Sequence, residues 1–369
     1  MMQQKIDYKE NIRVFAKLPY KEGEYKSRAW GHPLHFLLSY PSKLKPALGH
    51  YLVKLFSRPG DNILDPFSGS GTIPFEACCQ GRIGIGSDIN PLAYHTTNAK
   101  VSGLFLDELE QQIDLLDEFI KKNLGKFKKT EKEIVDYYEK NTMNEILAAR
   151  EFFKINLDKN YSFLISCIAH ILHGNRPYAL SRRSHNIMPW NPQGEFVYKN
   201  LIKHLREKVY RMKKVDLPAT FVKGISIQDD VFKLSLKNDS VDSIMTSPPF
   251  FNNRDFLRMN RIRLWFCGWD YEIQNKFKAN FIENAKDLGI YSKIFDEFYR
   301  VLKSSSLCIL HLGVVKNVNM AEILSAEAKK TGFETLDIVY EDSSKLESHG
   351  IRDRGATHTH QFLFLRKYS

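Results

Sequence analysis

The chain has 369 residues, 43% apolar and 26% charged, an ordinary globular composition with room for one large domain carrying an insertion, or for two unequal domains. The longest strongly apolar run, Phe163 to Leu172, is interrupted by His170 and too short to span a bilayer, which excludes a membrane-spanning helix. A formal charge of +11 suits a polyanionic partner, because each phosphate contact releases condensed counterions.

The opening MMQQKIDYKE has no apolar core behind a basic start, so no secretory signal is read there and a cytoplasmic location is expected. Cys78, Cys79, Cys167, Cys267 and Cys308 form no CxxC pair, and all five are expected to be reduced, mostly buried thiols. His170 and His173 share a helical spacing but have no Cys or acidic partner nearby in sequence, so no metal site is expected.

In chain order, Asn62 to Leu64 reads as a short buried strand ending at Asp65, and Ile73 to Cys79 as the helix after it. Ile83 to Ser87 is a second strand, ending at Asp88. Amphipathic helical patterns follow at Leu106 to Lys122, Glu131 to Asn156 and Phe196 to Lys214. The stretch from His173 to Phe196 carries too many prolines and glycines for a helix and reads as a loop mounted on helices. Phe221 to Ile227, Val241 to Thr246 and Leu307 to Leu312 are the third, fourth and fifth strands. Thr335 to Tyr340 and Gln361 to Leu365 alternate as an antiparallel closing pair does. This alternation predicts an α/β sheet. A connection of about 120 residues between the second and third strands exceeds a simple crossover and predicts an inserted module. The resulting division is 1–100 for the first half of the sheet domain, 101–218 for a mainly helical insertion and 219–369 for the second half.

Two turns carry chemistry. Asp65-Pro66-Phe67-Ser68-Gly69-Ser70-Gly71-Thr72 lies between a strand and a helix, where glycines let the backbone turn tightly and approach a ligand. About twenty residues on, Asp88 ends the next strand, where a carboxylate can accept both hydroxyls of a ribose. The spacing is not GxGxxG and no phosphate-binding lysine follows, which favours a nucleoside without phosphates. The second turn is Thr246-Ser247-Pro248-Pro249-Phe250, after the fourth strand. Its two prolines remove N–H donors and leave carbonyls free to accept, which suits an amino group that must donate its hydrogens.

Together these residues resemble the DNA amino-methyltransferases, with DPFSGSGT as the methionine-binding motif and TSPPF as the catalytic one. His32-Pro33-Leu34-His35-Phe36 and Tyr40-Pro41-Ser42-Lys43 resemble the segment that closes over the methionine end of the cofactor, and Gln228-Asp229-Asp230 the family's adenine-contacting acid. The resemblance implies a class I S-adenosylmethionine-dependent methyltransferase fold, a Rossmann-like doubly wound sheet with an antiparallel last strand, here with a helical insertion. It implies S-adenosylmethionine as cofactor, with His32, Pro33, Asp65, Phe67, Gly69, Gly71, Thr72, Asp88 and Asp230 as its binding residues. The partner implied is double-stranded DNA with the target base swung out of the stack. Phe250 would stack on that base, while the Ser247 side chain and the Pro248 carbonyl, set by Pro249, hold the amino hydrogens.

Cytosine-N4 enzymes of the family usually carry Ser where adenine-N6 enzymes carry Asp or Asn, so Ser247 favours cytosine N4, with adenine N6 as the alternative. DPFSGSGTIPFEA also resembles tRNA guanine-N2 methyltransferases, but those usually place Asp before Pro-Pro and a large RNA-binding domain ahead of the catalytic one. Only about thirty residues precede His32 here. A restriction–modification role, with a cognate endonuclease as a further partner, is expected from the family. For DNA contacts, Arg254, Arg258 and Arg261, sharing a helical face, and Arg263 follow the catalytic motif, and Arg176, Arg182, Arg183 and His185 lie in the inserted loop. Arg352 and Arg354 lie between the last two strands. The lysine-rich stretches Lys121 to Lys132 and Lys203 to Lys214 read as solvated helix faces.

Overall fold

A computed structural model describes residues 6–27, 29–40, 42–103, 106–127, 131–157, 160–185, 189, 191–250, 256–278, 282, 287–315, 318–342 and 357–368. Its elements begin with α1 (Tyr8–Phe15) and α2 (Pro46–Phe56), and continue with β1 (Asn62–Asp65), α3 (Thr72–Cys79), β2 (Ile83–Asp88) and α4 (Pro91–Val101). The inserted region holds α5 (Leu106–Asn123), α6 (Lys132–Val135), α7 (Lys140–Ile155), α8 (Ser162–Ile171) and α9 (Leu201–Met212). The chain then runs through β3 (Ile225–Gln228), β4 (Val241–Thr246), α10 (Phe256–Phe266), α11 (Tyr271–Phe277) and α12 (Tyr291–Val301). It ends with β5 (Leu302–Val315), β6 (Val318–Asn319), α13 (Met320–Lys330), β7 (Phe333–Asp342) and β8 (Thr357–Lys367).

The strands form one sheet in the order β3-β2-β1-β4-β5-β8-β7, with β6 paired to β5. Strands β1 to β5 pair in parallel, and β8 slots between β5 and β7, antiparallel to both. The order reverses between β1 and β4, so the carboxyl ends of β1, β2 and β4 face one crevice. Apolar side chains cover both faces of the sheet. Ile63, Met245, Ile309, Phe362 and Phe364 pack with α1 and α2, and Leu64, Ile244, Leu310 and Leu363 with α12 and α13. Each of these fully buried side chains contributes about 1.5–3 kcal/mol over its exposed state.

The expected third strand is shorter than its pattern. Val222 N–H donates to the Cys78 carbonyl at 3.0 Å and Gly224 N–H to the Val101 carbonyl at 3.0 Å, so this stretch caps α3 and α4 before pairing with β2. The pattern from Glu131 to Asn156 breaks into α6 and α7, because the Glu139 carboxylate accepts from Asn141 N at 2.7 Å and Thr142 N at 3.1 Å and starts a new helix. Asn200 likewise caps α9 through Lys203 N at 2.8 Å, which delays that helix past Phe196. The apolar run at Phe163 is α8, buried on nearly every side against α4, α9 and Trp265 of α10. Among the described residues no helix is long and apolar enough to cross a membrane. All five cysteines are free.

Candidate active site

At the end of β1, Ser68 N–H donates to the Ser87 carbonyl at 3.0 Å and Gly71 N–H to the Ser68 carbonyl at 2.6 Å, closing a tight turn into α3. Gly71 has φ +69°, and a Cβ there would come within 2.7 Å of Thr97 Oγ1 and 2.9 Å of Thr97 Cα. Gly69 has φ +48° and lies under the Tyr40 ring, 3.3 Å from a would-be Cβ. Thr72 begins α3, and its hydroxyl pairs with Ser70 Oγ at 3.1 Å. Beside the turn, Asp88 Oδ2 accepts from Gly69 N at 3.0 Å, and Oδ1 accepts from Asn90 N at 3.2 Å and Asn90 Nδ2 at 2.6 Å. Burial outweighs these bonds and holds the Asp88 carboxyl up at about 6.

The second turn leaves β4 next to β1. Thr246 Oγ1 donates to Asp65 Oδ1 at 2.5 Å, and Phe67 N–H donates to the same oxygen at 3.2 Å. Asp65 is buried, which pushes its carboxyl up to about 7 against those bonds. Ser247 is half-buried, and its Oγ lies 3.0 Å from His311 Nδ1 on β5. His311 Nε2 lies 3.1 Å from His360 Nδ1 on β8. The Phe250 ring centre stands 5.7 Å from that of His311 and 6.3 Å from that of His360.

The flanking sequence candidates occupy separate positions. His32 Nδ1 accepts from Leu34 N at 3.2 Å and opens the short turn Pro33–Phe36, while its Nε2 lies 3.2 Å from the carbonyls of Val215 and Asp216. Asp230 Oδ1 accepts from Phe232 N at 3.0 Å just after β3. In the inserted loop, Arg176 and Arg183 are exposed, and Arg176 lines a cleft with Ser39, His170, His173, Tyr178 and Arg263. Arg182 turns inward, donating to the Gly194 carbonyl at 2.8 Å and the Asp136 carbonyl at 3.2 Å, with its guanidinium 4.3 Å from the Phe196 ring centre. His185 and Arg258 are exposed, Arg261 is ion-paired with Glu133, and Arg263 is buried on the Ala169 and Ser39 carbonyls. Pro41, Arg254, Arg352 and Arg354 lie outside the described residues.

Three groups at the site escaped the sequence reading. His311 and His360 come from strands far apart in the chain, and their signal is a histidine inside an otherwise apolar strand. Lys100 is fully buried on α4 and donates to the Ser70 carbonyl at 2.5 Å. Burial, with Lys43 and Lys208 nearby, holds its amine well below the usual lysine range. Its signal is a lysine on the buried face of a helix beside the glycine turn.

The switch-point crevice and the antiparallel strand slotted beside β7 make this a class I S-adenosylmethionine-dependent methyltransferase fold. Within that class the chain resembles the DNA amino-methyltransferases, and residues 2–99 match the family described as DNA methylase. The type II methyltransferase M.MvaI of Kocuria varians is 24% identical over 282 residues, 67% of this chain and 60% of its own length. The DNA adenine methyltransferase YhdJ of Escherichia coli is 33% identical over 90 residues, 23% of this chain and 29% of its own. The chain thus spans at most 60% of the length of these two relatives. Among solved structures, a SAM-dependent methyltransferase from Methanosarcina mazei aligns with a TM-score of 0.37 at 11% identity, over 86% of this chain and 97% of that one.

Proposed function

We propose that this protein transfers the methyl group of S-adenosylmethionine to the exocyclic N4 amino group of cytosine in double-stranded DNA. The observation that carries the reading is the Thr246–Asp65 hydrogen bond, which ties the glycine turn at β1 to the Ser247–Phe250 turn at β4. The residues fit the cofactor. Gly71 packs against Thr97 and Gly69 under the Tyr40 ring, so the turn runs tightly between β1 and α3, and the Asp88 carboxylate beside it is undercompensated, so ribose hydroxyls would stabilise its ionised form. Asp65, Phe67 and Thr72 would frame the methionine end, with His32 and Pro33 closing over it and Asp230 meeting the adenine. When bound, S-adenosylmethionine supplies an electrophilic methyl group.

The chain's own contribution is positioning. Phe250 would stack on the flipped base, and Ser247 Oγ and the Pro248 carbonyl would accept the amino hydrogens, aiming the nitrogen lone pair in line. The region 101–218 is the candidate for target recognition, with Arg176, Arg183 and His185 facing solvent. Arg258, and Arg254 which follows the catalytic turn in sequence, would add phosphate contacts. A restriction–modification role, with an endonuclease of the same specificity as partner, follows from the same family reading.

A second reading, adenine N6, has one observation in its favour: the similarity over 90 residues to the adenine methyltransferase YhdJ. Labelled S-adenosylmethionine with unmethylated genomic DNA, followed by nucleoside mass spectrometry, separates the two. N4-methylcytosine is the expected product. N6-methyladenine would transfer the proposal to the second reading, and label entering only tRNA or rRNA would sink both.

A further inference from the structure

His311 lies between Leu310 and Leu312 in the middle of β5, in a position that an apolar side chain would fill without a desolvation cost. Both of its ring nitrogens are engaged, Nδ1 with Ser247 Oγ at 3.0 Å and Nε2 with His360 Nδ1 at 3.1 Å. The three side chains therefore form a continuous line from the catalytic turn to half-buried His360, with Phe250 packed against both rings. We propose that His311 is a positioning residue for methyl transfer: it takes the Ser247 hydroxyl hydrogen, so that the serine oxygen offers only lone pairs to the target amine, and with His360 it conducts the amine's surplus proton out of the site. This rests on the amino-methyltransferase reading above.

A neutral imidazole has one donor nitrogen and one acceptor, so the line has two polarities. Burial and the neighbouring His360 lower the pKa of His311 well below the ordinary histidine value, which keeps it neutral. In one polarity His311 donates to Ser247, and the serine hydrogen points at the base. In the other Ser247 donates to Nδ1, and Nε2–H donates to His360. The first leaves one serine lone pair for the amine and turns the hydroxyl hydrogen toward it; the second leaves both lone pairs free to accept amino N–H groups and gives the surplus proton a path to Nδ1.

The N–CH3 bond forms as the S–CH3 bond breaks, its electron pair staying on sulfur, and the amine nitrogen becomes cationic. One of its protons passes to Ser247 Oγ while the serine proton moves to His311 Nδ1 and the Nε2 proton to His360 Nδ1. His360 then carries the charge and releases a proton to solvent.

The test uses the 369-residue chain. First, 15N chemical shifts of the His311 ring in histidine-labelled protein should show Nδ1 unprotonated and Nε2 protonated, with the Nδ1 signal moving in Ser247→Ala. Second, His311→Phe, which keeps the ring volume and removes both nitrogens, should lower the single-turnover rate on unmethylated DNA on the order of 100-fold. Dissociation constants for S-adenosylhomocysteine and for DNA should stay within about twofold, since positioning acts on the transition state. His311→Asn, which can still meet Ser247 but cannot reach His360, should recover part of the loss. A protonated Nδ1, or a folded His311→Phe with an undiminished rate, overturns the proposal. If His311→Phe does not fold, the nitrogen shifts of the wild-type protein decide. If the wild type methylates no nucleic acid, the function has failed rather than the hydrogen-bond polarity, which the shifts read independently.

Discussion

Thr246 and Asp65, 181 residues apart in sequence, share a hydrogen bond of 2.5 Å between the ends of two neighbouring parallel strands. The carboxylate is buried, and Phe67 N–H donates to the same oxygen at 3.2 Å. Thr246→Val keeps the shape and removes the hydroxyl, so the buried carboxylate loses a donor at a cost of about 1–3 kcal/mol. Thermal denaturation should show that loss, Thr246→Ser should restore most of it, and single-turnover methyl transfer should fall with the stability only in the valine variant.

Gly71→Ala tests the glycine turn. A left-handed φ costs an L-residue about 1–2 kcal/mol by itself, and here the new Cβ also meets Thr97 at 2.7 and 2.9 Å, the latter a backbone atom that cannot swing away. Calorimetric titration with S-adenosylhomocysteine should find binding abolished. Gly60→Ala is the matched control: its φ is +89° with nothing within 4 Å, so it should carry the strain and leave binding intact.

The carboxyls of Asp65 and Asp88 are raised by burial to about 7 and about 6. Between the ordinary aspartate value and those pH values the folded protein holds protons that the unfolded chain has released. These two carboxyls therefore stabilise the cofactor-free protein less as pH rises from about 4 to about 7, whereas buried neutral histidines such as His35, His95 and His311 act in the opposite direction, so the Asp88 contribution is read as the difference between the wild type and Asp88→Asn across that range. Cofactor affinity should increase over the same range, because an ionised Asp88 accepts ribose hydroxyls better than a protonated one. Binding of S-adenosylhomocysteine should tighten as pH rises through about 6 and level off above 7, and Asp88→Asn should flatten the curve.

The arginines of the inserted loop should divide by their surroundings. Arg176→Met and Arg183→Met remove exposed cations and should each lower the slope of log K against log salt for DNA by about 1. Arg182→Met removes the bonds to the Gly194 and Asp136 carbonyls and the packing on Phe196, so it should lower the melting temperature and leave the salt slope nearly unchanged.

The strands and turns that carry the chemistry were legible because their signals are local. Asn62–Asp65 and the Ile244–Thr246 end of β4 are short apolar runs that stop at a polar residue, and the glycines and prolines after them constrain the backbone wherever they occur. The closing pair β7 and β8 was legible for the same reason, by its alternation. What the sequence by itself determined is therefore the sheet's parallel half, its antiparallel end and the identity of the two turns.

The tertiary structure decided what depends on distant partners. His311 and His360 meet because β8 inserts antiparallel beside β5, in a register that opposes His311 to Phe362 and brings His360 to the same face. Nothing within either strand encodes that register; it comes from packing Phe362 and Phe364 against α1 and α2. The break between α6 and α7 depends on the Glu139 cap, and Arg182 donates to backbone carbonyls of the segment just before that cap, Asp136 through its side chain and Tyr137 through its own N–H at 2.7 Å. Helical periodicity cannot show either contact. Periodicity says which face of an element is buried, and only the packed molecule says which polar group waits on the other side.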